Sequence, residues 1–199
     1  FSGFFEFFSA PSLRGAAGVG LDALLSADAR PVVCFVCTGN AARSVMARAM
    51  FADRAPGWSA VGAGTLVLEG LPMSQRTRIA LAHHGLTDPD HRSRQFGSNH
   101  ADVDLVVAME PSHVAWIRRY YPGMAGRTAS LPRLVRELPA GDSTDLADRL
   151  EAMTLAEVEV ADWEEVVDPA AGEQADFDAC AAILNGFVDT LVERLGSVG

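Results

Sequence analysis

Hydrophobic residues make up 49% of the 199 residues, a length and composition that suit one well-buried α/β domain. The formal net charge is -10, and the chain has no basic run of the kind that binds a polyanion, so nucleic acid is excluded as an expected partner. Three cysteines do not make a disulfide framework, and a reducing cytoplasm is therefore the expected location. No apolar stretch reaches the roughly 18 residues of a membrane-spanning helix, so no membrane span is expected.

Residues 1–30 are predicted to form an extension outside the domain that the rest of the chain builds. Five phenylalanines stand within the first eight residues, and their rings need cover from water. Either the chain's own domain covers them or a second copy does, which would give a homodimer. Glu6 interrupts the apolar run and no basic region precedes it, so the segment does not resemble a signal peptide.

Strands and helices are predicted to alternate along residues 31–199. Strands are predicted near 31–36, 58–62, 103–108 and 126–129, and helices near 44–54, 74–84, 111–119 and 173–195. This alternation predicts a three-layer α/β/α fold, in which helices flank a four-stranded parallel sheet. Residues 139–162 are predicted to be an insertion. They would form either a helical lid beside Asp168 or a structureless acidic loop.

The first strand–helix turn has the sequence Cys37-Thr-Gly-Asn-Ala-Ala-Arg43-Ser44. The free N–H groups of a helix's first turn carry the positive end of the helix dipole, so this turn can bind a phosphate-like dianion. The same field favours the thiolate form of Cys37. Arg43 can fold back and donate two parallel N–H bonds to phosphate oxygens. The turn is therefore predicted to be a phosphate loop that carries a cysteine nucleophile.

The other loop residues suit a backbone that wraps an anion. Gly39 permits close approach of the backbone, and Asn40 tolerates a left-handed conformation. Ser44 could donate a hydroxyl hydrogen bond to the thiolate. The predicted phosphate-binding residues are Thr38, Gly39, Asn40, Ala41, Ala42 and Ser44.

Together with its flanking residues, this loop resembles the phosphate loop of low-molecular-weight protein tyrosine phosphatases, whose fold is shared with thiol-coupled arsenate reductases. The family has a general acid in an Asp-Pro pair near the C-terminus, and Asp168-Pro169 stands at that place. Further stretches similar to the family are 62–65, 71–72, 91–95 and 104–110. The resemblance covers about residues 31–138 and 163–196.

The resemblance implies a cysteine-dependent phosphatase with Cys37, Arg43 and Asp168 as catalytic residues. Cys37 would attack a phosphate monoester, and Asp168 would protonate the leaving group and then take a proton from water. The substrate would be a phosphorylated protein, through phosphotyrosine, or a small phosphate ester. No cofactor is implied and no metal site is expected, while His91 would position the phosphate loop.

Two departures from the family concern the walls of the site. Ala170 and Ala171 follow the Asp-Pro pair where the family commonly has aromatic residues, which predicts a wider or less aromatic pocket unless Trp163 or Trp116 supplies the wall. Gly62 stands where many members have a serine that bonds the loop asparagine. We therefore expect that asparagine to be anchored differently.

A third departure concerns protection of the nucleophile. Ala42 replaces the second loop cysteine of many members, which can shield Cys37 in a reversible disulfide. Cys34 is the only nearby candidate for that role, although a central strand makes it more simply a core residue.

Two further functions remain alternatives to the phosphatase. An arsenate reductase has a closely similar loop, but it relays oxidised sulfur to resolving cysteines, and none stands between Cys37 and Cys180. Such a reductase would need an external thiol. A phosphate-binding regulator without turnover is the other alternative, and the set of Cys37, Arg43 and Asp168 argues against it.

Overall fold

The computed structural model describes residues 30–141 and 145–196. Within these residues the strands are β1 (Val32–Cys37), β2 (Ser59–Gly64), β3 (Leu105–Ala108) and β4 (Thr128–Ser130). The α-helices are α1 (Arg43–Arg54), α2 (Gln75–His83), α3 (Pro111–Tyr120), α4 (Leu131–Glu137), α5 (Leu146–Ala152) and α6 (Gln174–Leu195). Apart from Arg30, the predicted extension lies outside the described residues, and so does the homodimer that it would form.

Every predicted strand and helix is present, with its ends within two residues of the prediction. The short helices α4 and α5 were not predicted. Both begin at a side chain that accepts a backbone N–H of the first turn: Ser130 from Arg133, and Asp145 from Ala147.

The strands form one parallel sheet in the order β2-β1-β3-β4. All residues of β1 and β3 are buried, because helices cover both faces, and this explains their apolar sequences. Cys37 pairs with Gly64, and Ala108 lies in register with Val36 and Ser130. The segments that follow the strands therefore meet at one edge of the sheet, its carboxyl edge. The predicted fold class is confirmed, with Cys37 at the first strand–helix turn.

Two apolar layers cover the faces of this sheet. Phe35 and Cys37 face the layer that β1 shares with α1 and α6. Cys34 and Val36 face the opposite layer, which includes Ile117 of α3. Side chains alternate along a strand, so the two cysteines of β1 point to opposite faces of the sheet.

Helix α6, with 22 residues, is the longest of the described helices. Its buried residues recur every three or four positions and pack against α1 and α2: Phe177, Cys180, Ala181, Leu184, Val188, Leu191 and Leu195. Its amino end follows the Asp-Pro segment, and its carboxyl end lies about 33 Å away. In the described parts of the chain, no helix combines the length and apolar character needed to cross a membrane.

Helix α5 lies at the far end of α6. The buried guanidinium of Arg149 donates to the backbone oxygens of Arg194 and Leu195, which are carbonyls of the last turn of α6. Leu150 belongs to the same core layer as Leu195. The prediction of a helical lid beside Asp168 is wrong for this helix, because its apolar face and its arginine dock it at the opposite end of α6.

Candidate active site

The phosphate loop connects the buried strand β1 to α1 at the carboxyl edge of the sheet. Cys37 Sγ lies 3.0 Å from Ser44 Oγ. The same Ser44 oxygen accepts a hydrogen bond of 3.0 Å from Asn40 Nδ2. A hydroxyl has one hydrogen to donate, and with Asn40 as its donor partner Ser44 can direct that hydrogen at the sulfur.

Asn40 shapes the loop through its backbone and its side chain. Its φ of 48° is left-handed, and its Oδ1 accepts from the backbone N–H of Arg94 at 3.0 Å. Its carbonyl accepts from His91 Nε2 at 2.8 Å. A Cβ placed on Gly62 would lie 3.0 Å from Asn40 Nδ2, so the side chain occupies the space in front of this glycine. Arg94, His91 and Ser44 together anchor the asparagine.

His91 supports the loop as a neutral imidazole. Burial lowers its pKa below the ordinary value, although the hydrogen bond to Asn40 opposes this shift. Its Nε2 donates to the Asn40 carbonyl, which assigns the proton to that nitrogen. His91 therefore contacts the back of the loop and not the anion-binding side.

Strand β2 closes against the start of the loop. The backbone N–H groups of Thr65 and Leu66 donate to the carbonyls of Cys37 and Thr38, each at 3.0 Å. A Cβ on Gly64 would lie well inside contact distance of the Thr38 carbonyl oxygen, so only glycine fits there. The hydroxyl of Thr38 lies 3.0 Å from Nε2 of the buried His113.

The remaining loop residues present backbone rather than side chains. The carbonyl of Ala41 accepts from Thr77 Oγ1 at 2.9 Å, which ties the loop to α2. Ala42 packs in the core layer shared with α1, and Gly39 is half-buried. Across the described structure, the backbone N–H groups of 39–42 donate to no protein acceptor. Open N–H donors at the start of a helix, as here before α1, are an arrangement that can bind an anion.

Arg43 connects the loop to residues far away in the sequence. Its side chain is almost completely buried, and Nη1 donates to Glu110 Oε2 at 2.5 Å and to the carbonyl of Val166 at 2.9 Å. Nη2 donates to Asp168 Oδ2 at 2.7 Å. Both hydrogens of Nη1 are thus used, whereas Nε and the second hydrogen of Nη2 remain on one edge of the guanidinium. That edge can donate two parallel bonds to a phosphoryl group.

Asp168 lies at the open side of this arrangement. Its side chain is 41% exposed, and its Oδ1 accepts from the backbone N–H of Ala170 at 3.1 Å. This local bond is an Asx-type turn, which fixes the carboxylate relative to its own backbone. Oδ2 of Asp168 is therefore bound by Arg43, while the exposed part of the carboxylate is accessible to a bound molecule.

Glu110 and His113 belong to the site, although neither was singled out from the sequence. Glu110 accepts from Arg43 and from the hydroxyl of Ser112, and its Oε1 is 3.7 Å from His113 Nε2. Burial alone would raise the pKa of Glu110, but the hydrogen bonds from Ser112 and Arg43 hold it below its ordinary value. Burial lowers the pKa of His113 to about 4, so its imidazole is neutral. Their position in the sequence could have indicated both residues. They follow the predicted third strand, and the segments after parallel strands meet at the same sheet edge as Cys37.

The walls of the site contain little aromatic surface. Ala170 lines a cavity of about 490 Å³ between the amino ends of α2 and α6, which Ile79 and Phe177 also line. Trp116 packs against Phe96 in the opposite core layer. The ring of Trp163 lies 4.5 Å from the guanidinium carbon of Arg136.

Exposed aliphatic side chains lie instead in the two segments that contact the phosphate loop. Leu66, whose backbone N–H donates to the Thr38 carbonyl, has a side chain that is 77% exposed. Val167, next to Asp168, is 70% exposed. Leu68 and Leu71 extend the same exposed segment. The mouth of the site is thus apolar, while its base consists of N–H donors and charges.

The structure describes two cysteines outside the loop, Cys34 and Cys180, and both are buried. Cys34 is on the opposite face of the sheet, and burial holds the pKa of its thiol above the ordinary value. Residues three apart on a strand are separated by about 10 Å, too far for a disulfide without breaking β1. The structure therefore argues against a protective Cys34–Cys37 disulfide. Burial also raises the pKa of Cys180 on α6, to about 12.

In the described part of the chain, no group of three or more His, Cys, Asp or Glu side chains is arranged to hold a metal ion. The charged groups at the site are the paired Arg43, Glu110 and Asp168. Their arrangement suits transfer of an anionic group to the sulfur of Cys37.

Comparisons with known proteins agree with this geometry. The family model of low molecular weight phosphotyrosine protein phosphatase matches residues 32–152. A low molecular weight protein-tyrosine-phosphatase of Streptomyces coelicolor is 38% identical over 58% of this chain and 76% of its own length. Low molecular weight protein-tyrosine phosphatase A of Mycobacterium tuberculosis is 30% identical over 84% of this chain and 95% of its own.

The solved structures that are similar include an arginine phosphatase from Geobacillus stearothermophilus. It superposes with a TM-score of 0.65 at 27% identity, over 81% of this chain and 90% of that chain. All these relatives are named as phosphatases, which does not favour the arsenate reductase alternative. The chain belongs to the low molecular weight phosphotyrosine protein phosphatase family.

Proposed function

We propose that this protein hydrolyses phosphate monoesters, in particular phosphotyrosine in proteins, through a cysteinyl-phosphate on Cys37. The observation that carries the proposal is the position of Arg43. Its guanidinium contacts Asp168 on one side and extends from the loop that holds Cys37 on the other. A nucleophile, an anion cradle and a candidate acid are thereby assembled around one buried cation.

In the first step the Cys37 thiolate attacks phosphorus in line with the ester bond. The bond between phosphorus and the ester oxygen breaks, its electrons pass to that oxygen, and Asp168 donates the proton that neutralises it. The open N–H groups of 39–42 and the free edge of Arg43 stabilise charge on the equatorial oxygens. This preorganised electrostatic stabilisation supplies the largest part of the catalysis.

In the second step water replaces the sulfur. The oxygen of the water attacks phosphorus while the carboxylate of Asp168 takes a proton from that water. The bond between sulfur and phosphorus breaks. The electrons return to Cys37 as a thiolate, which Ser44 stabilises through the hydroxyl 3.0 Å away. Inorganic phosphate leaves, and Asp168 is again protonated for the next turnover.

The substrates are phosphorylated proteins or small phosphate esters in the cytoplasm. An apolar mouth over a charged base suits a phosphorylated aromatic ring, because the ring contacts Leu66 or Val167 while the phosphate reaches the loop. A homodimer through residues 1–30 remains a prediction.

A second candidate substrate is phosphoarginine in proteins. Ala170 and Ala171 supply no aromatic wall after Pro169, and one similar solved structure is that of an arginine phosphatase. A guanidine leaving group is polar and positively charged when protonated, so Asp168 would bind it without a stacking partner.

Hydrolysis of p-nitrophenyl phosphate by the wild-type protein, Cys37→Ser and Asp168→Ala tests the chemistry. We expect Cys37→Ser to abolish turnover and Asp168→Ala to lower it by about 10²-fold or more. Asp162→Ala, at an exposed position outside the phosphate loop, is the matched control and should retain activity. Turnover that survives Cys37→Ser would overturn the mechanism.

The substrate class is tested with peptides of one sequence that carry phosphotyrosine or phosphoarginine. Faster release of phosphate from the phosphotyrosine peptide supports the first proposal, and the reverse order supports the second. Arsenate-dependent thiol oxidation in a parallel assay should be negligible. Robust oxidation with little ester hydrolysis would contradict both.

A further inference from the structure

Residues 164–168 run along the carboxyl edge of the sheet, from β4 past β3 to the phosphate loop. Glu164 bonds to Ser130 at the end of β4, Val166 bonds to Met109 just after β3, and Asp168 bonds to Arg43 after β1. We name residues 164–168 the edge segment. Its course follows the order of the strands and delivers Asp168 to the loop.

Glu164 is the first anchor of the edge segment, and it is fully buried. Its Oε2 accepts from Ser130 Oγ at 2.7 Å and from Arg133 Nε at 3.0 Å. Its Oε1 accepts from Arg133 Nη2 at 2.6 Å and from the backbone N–H of Ala161 at 2.8 Å. This is a bidentate, charge-assisted pair in which both carboxylate oxygens are satisfied.

The pair is charged despite its burial. Burial alone would raise the pKa of Glu164, but the hydrogen bonds from Arg133 and Ser130 keep it below its ordinary value. Arg133 also donates to the carbonyl of Glu159, so the same guanidinium holds the turn that precedes the edge segment. The anchor is a rigid point on α4 and β4.

Val166 is the second anchor. Its N–H donates to the Met109 carbonyl at 2.8 Å, and its carbonyl accepts from Arg43 at 2.9 Å. Glu165 and Val167, in contrast, are exposed. The chain is therefore fixed at alternate residues, and Asp168 is placed by anchors two and four residues before it.

We propose that Glu164, held by Arg133, is a positioning residue that sets the place of Asp168 relative to the phosphate loop. It touches no substrate and acts only through the edge segment. This inference rests on the proposed role of Asp168 as general acid. Loss of the charge on Glu164 releases the first anchor and lets Asp168 drift from the leaving group, while Cys37 and Arg43 keep their own contacts.

A leaving-group comparison separates this role from a merely structural one. Protonation matters for a poor leaving group such as phenoxide and hardly matters for 2,4-dinitrophenoxide. The quantity to measure is kcat/KM, since it reports the step in which the ester bond breaks. We expect Glu164→Gln to lower kcat/KM by about tenfold with phenyl phosphate and by less than about twofold with 2,4-dinitrophenyl phosphate. Glu165→Gln, an exposed neighbour with the same charge change, should match the wild type with both esters.

Combination with Asp168→Ala completes the test. If Glu164 acts through Asp168, adding Glu164→Gln to Asp168→Ala lowers kcat/KM no further. Equal losses with both esters, full additivity in the double variant, or an unchanged rate would each overturn the inference. If Asp168→Ala itself hydrolyses phenyl phosphate normally, the acid role of Asp168 fails instead, and the two failures are thus distinguished.

Unpairing a buried arginine can unfold a protein, so far-UV circular dichroism accompanies each variant. Where Glu164→Gln is unfolded, Arg133→Lys and Ser130→Ala provide the same comparison. Both leave the carboxylate in place and remove only part of its hydrogen bonding. The same preferential loss with phenyl phosphate is expected, and uniform losses in both variants would overturn the inference.

Discussion

Nη2 of Arg43 donates to Oδ2 of Asp168 at 2.7 Å, across 125 positions of sequence. One buried cation thus connects the anion cradle to the candidate acid. The free edge of the same guanidinium, at Nε and the second hydrogen of Nη2, can donate to a phosphate dianion while Asp168 keeps its own hydrogen of Nη2. The Asp168 carboxyl therefore lies beside the place where the phosphoryl group is expected to bind.

Replacement of Arg43 by lysine keeps the positive charge and removes the planar guanidinium that can donate two parallel hydrogen bonds. We expect kcat/KM for p-nitrophenyl phosphate to fall by about 10²- to 10³-fold, since lysine cannot donate two parallel bonds to the phosphoryl group. Steady-state kinetics on the folded variant measure this. Arg78→Lys, at an exposed position of α2, is the matched control and should be unchanged. A small change in kcat/KM for Arg43→Lys would contradict this prediction. It would show that the positive charge alone, without the two parallel hydrogen bonds, is sufficient for catalysis.

Replacement of Glu110 by glutamine tests how the guanidinium is oriented. Glutamine has no charge and only one acceptor oxygen, so its bond to Arg43 is a weaker neutral-acceptor bond and Ser112 must turn to accept from the amide. We expect kcat to fall about tenfold, the equivalent of roughly 1.4 kcal/mol for a lost charge-assisted bond. Glu157→Gln, which is exposed, provides the comparison, and an unchanged kcat in Glu110→Gln would contradict this role.

The close approach of β2 to the phosphate loop predicts the effect of a single methyl group. Gly64→Ala places a Cβ against the Thr38 carbonyl and 2.5 Å from Val67 Cγ2, so the backbone must shift. We expect the free energy of unfolding to fall by about 3 kcal/mol or more, measured by urea denaturation. Gly186→Ala is the control, because no atom lies within 4 Å of its Cβ and helix α6 should gain up to about 1 kcal/mol. Similar stability changes at both glycines would contradict the close approach.

The buried His113 predicts a loss of stability in mild acid. Its folded pKa is lowered by burial to about 4, while the unfolded chain has the ordinary value of 6.5. Between pH 6.5 and 4 the unfolded state binds a proton that the folded state does not, so the free energy of unfolding falls as the pH falls. His113 contributes on the order of 3 kcal/mol to this loss, and nothing further below pH 4. Glu110 and Asp168 face the imidazole and favour its proton, whereas Arg43 opposes it.

Urea denaturation of His113→Gln from pH 7 to pH 4 checks this prediction. The variant should be less stable than the wild type at pH 7 and lose less stability on acidification. Part of the slope should remain, because burial also lowers the pKa of His91 and His100. Parallel pH curves for the variant and the wild type would contradict a neutral His113 in the folded protein.

Local signals in the sequence determined the strand–loop–helix unit at Cys37. Within some twenty residues the sequence contains an apolar run, a turn with a glycine and an asparagine, and a helix-forming segment. Each of these features influences only the backbone conformation of nearby residues. The parallel sheet followed from the alternation of elements. These features depend on short-range preferences, so they could be predicted without knowing where distant residues lie.

The partners of Arg43 were decided only by the tertiary structure. Glu110 is 67 positions away, Val166 is 123 and Asp168 is 125, and they meet because the strand order β2-β1-β3-β4 brings their loops to one edge. The docking of α5 at the far end of α6 was also decided by the tertiary structure. Arg149 donates to the carbonyl of Arg194, and no local sequence pattern predicts that contact. Sequence preferences act over a few residues, whereas a buried charge takes its partners from whatever the fold places within hydrogen-bond distance. The sequence by itself therefore determined the strand–loop–helix unit and its candidate nucleophile, and the fold decided which distant residues surround them.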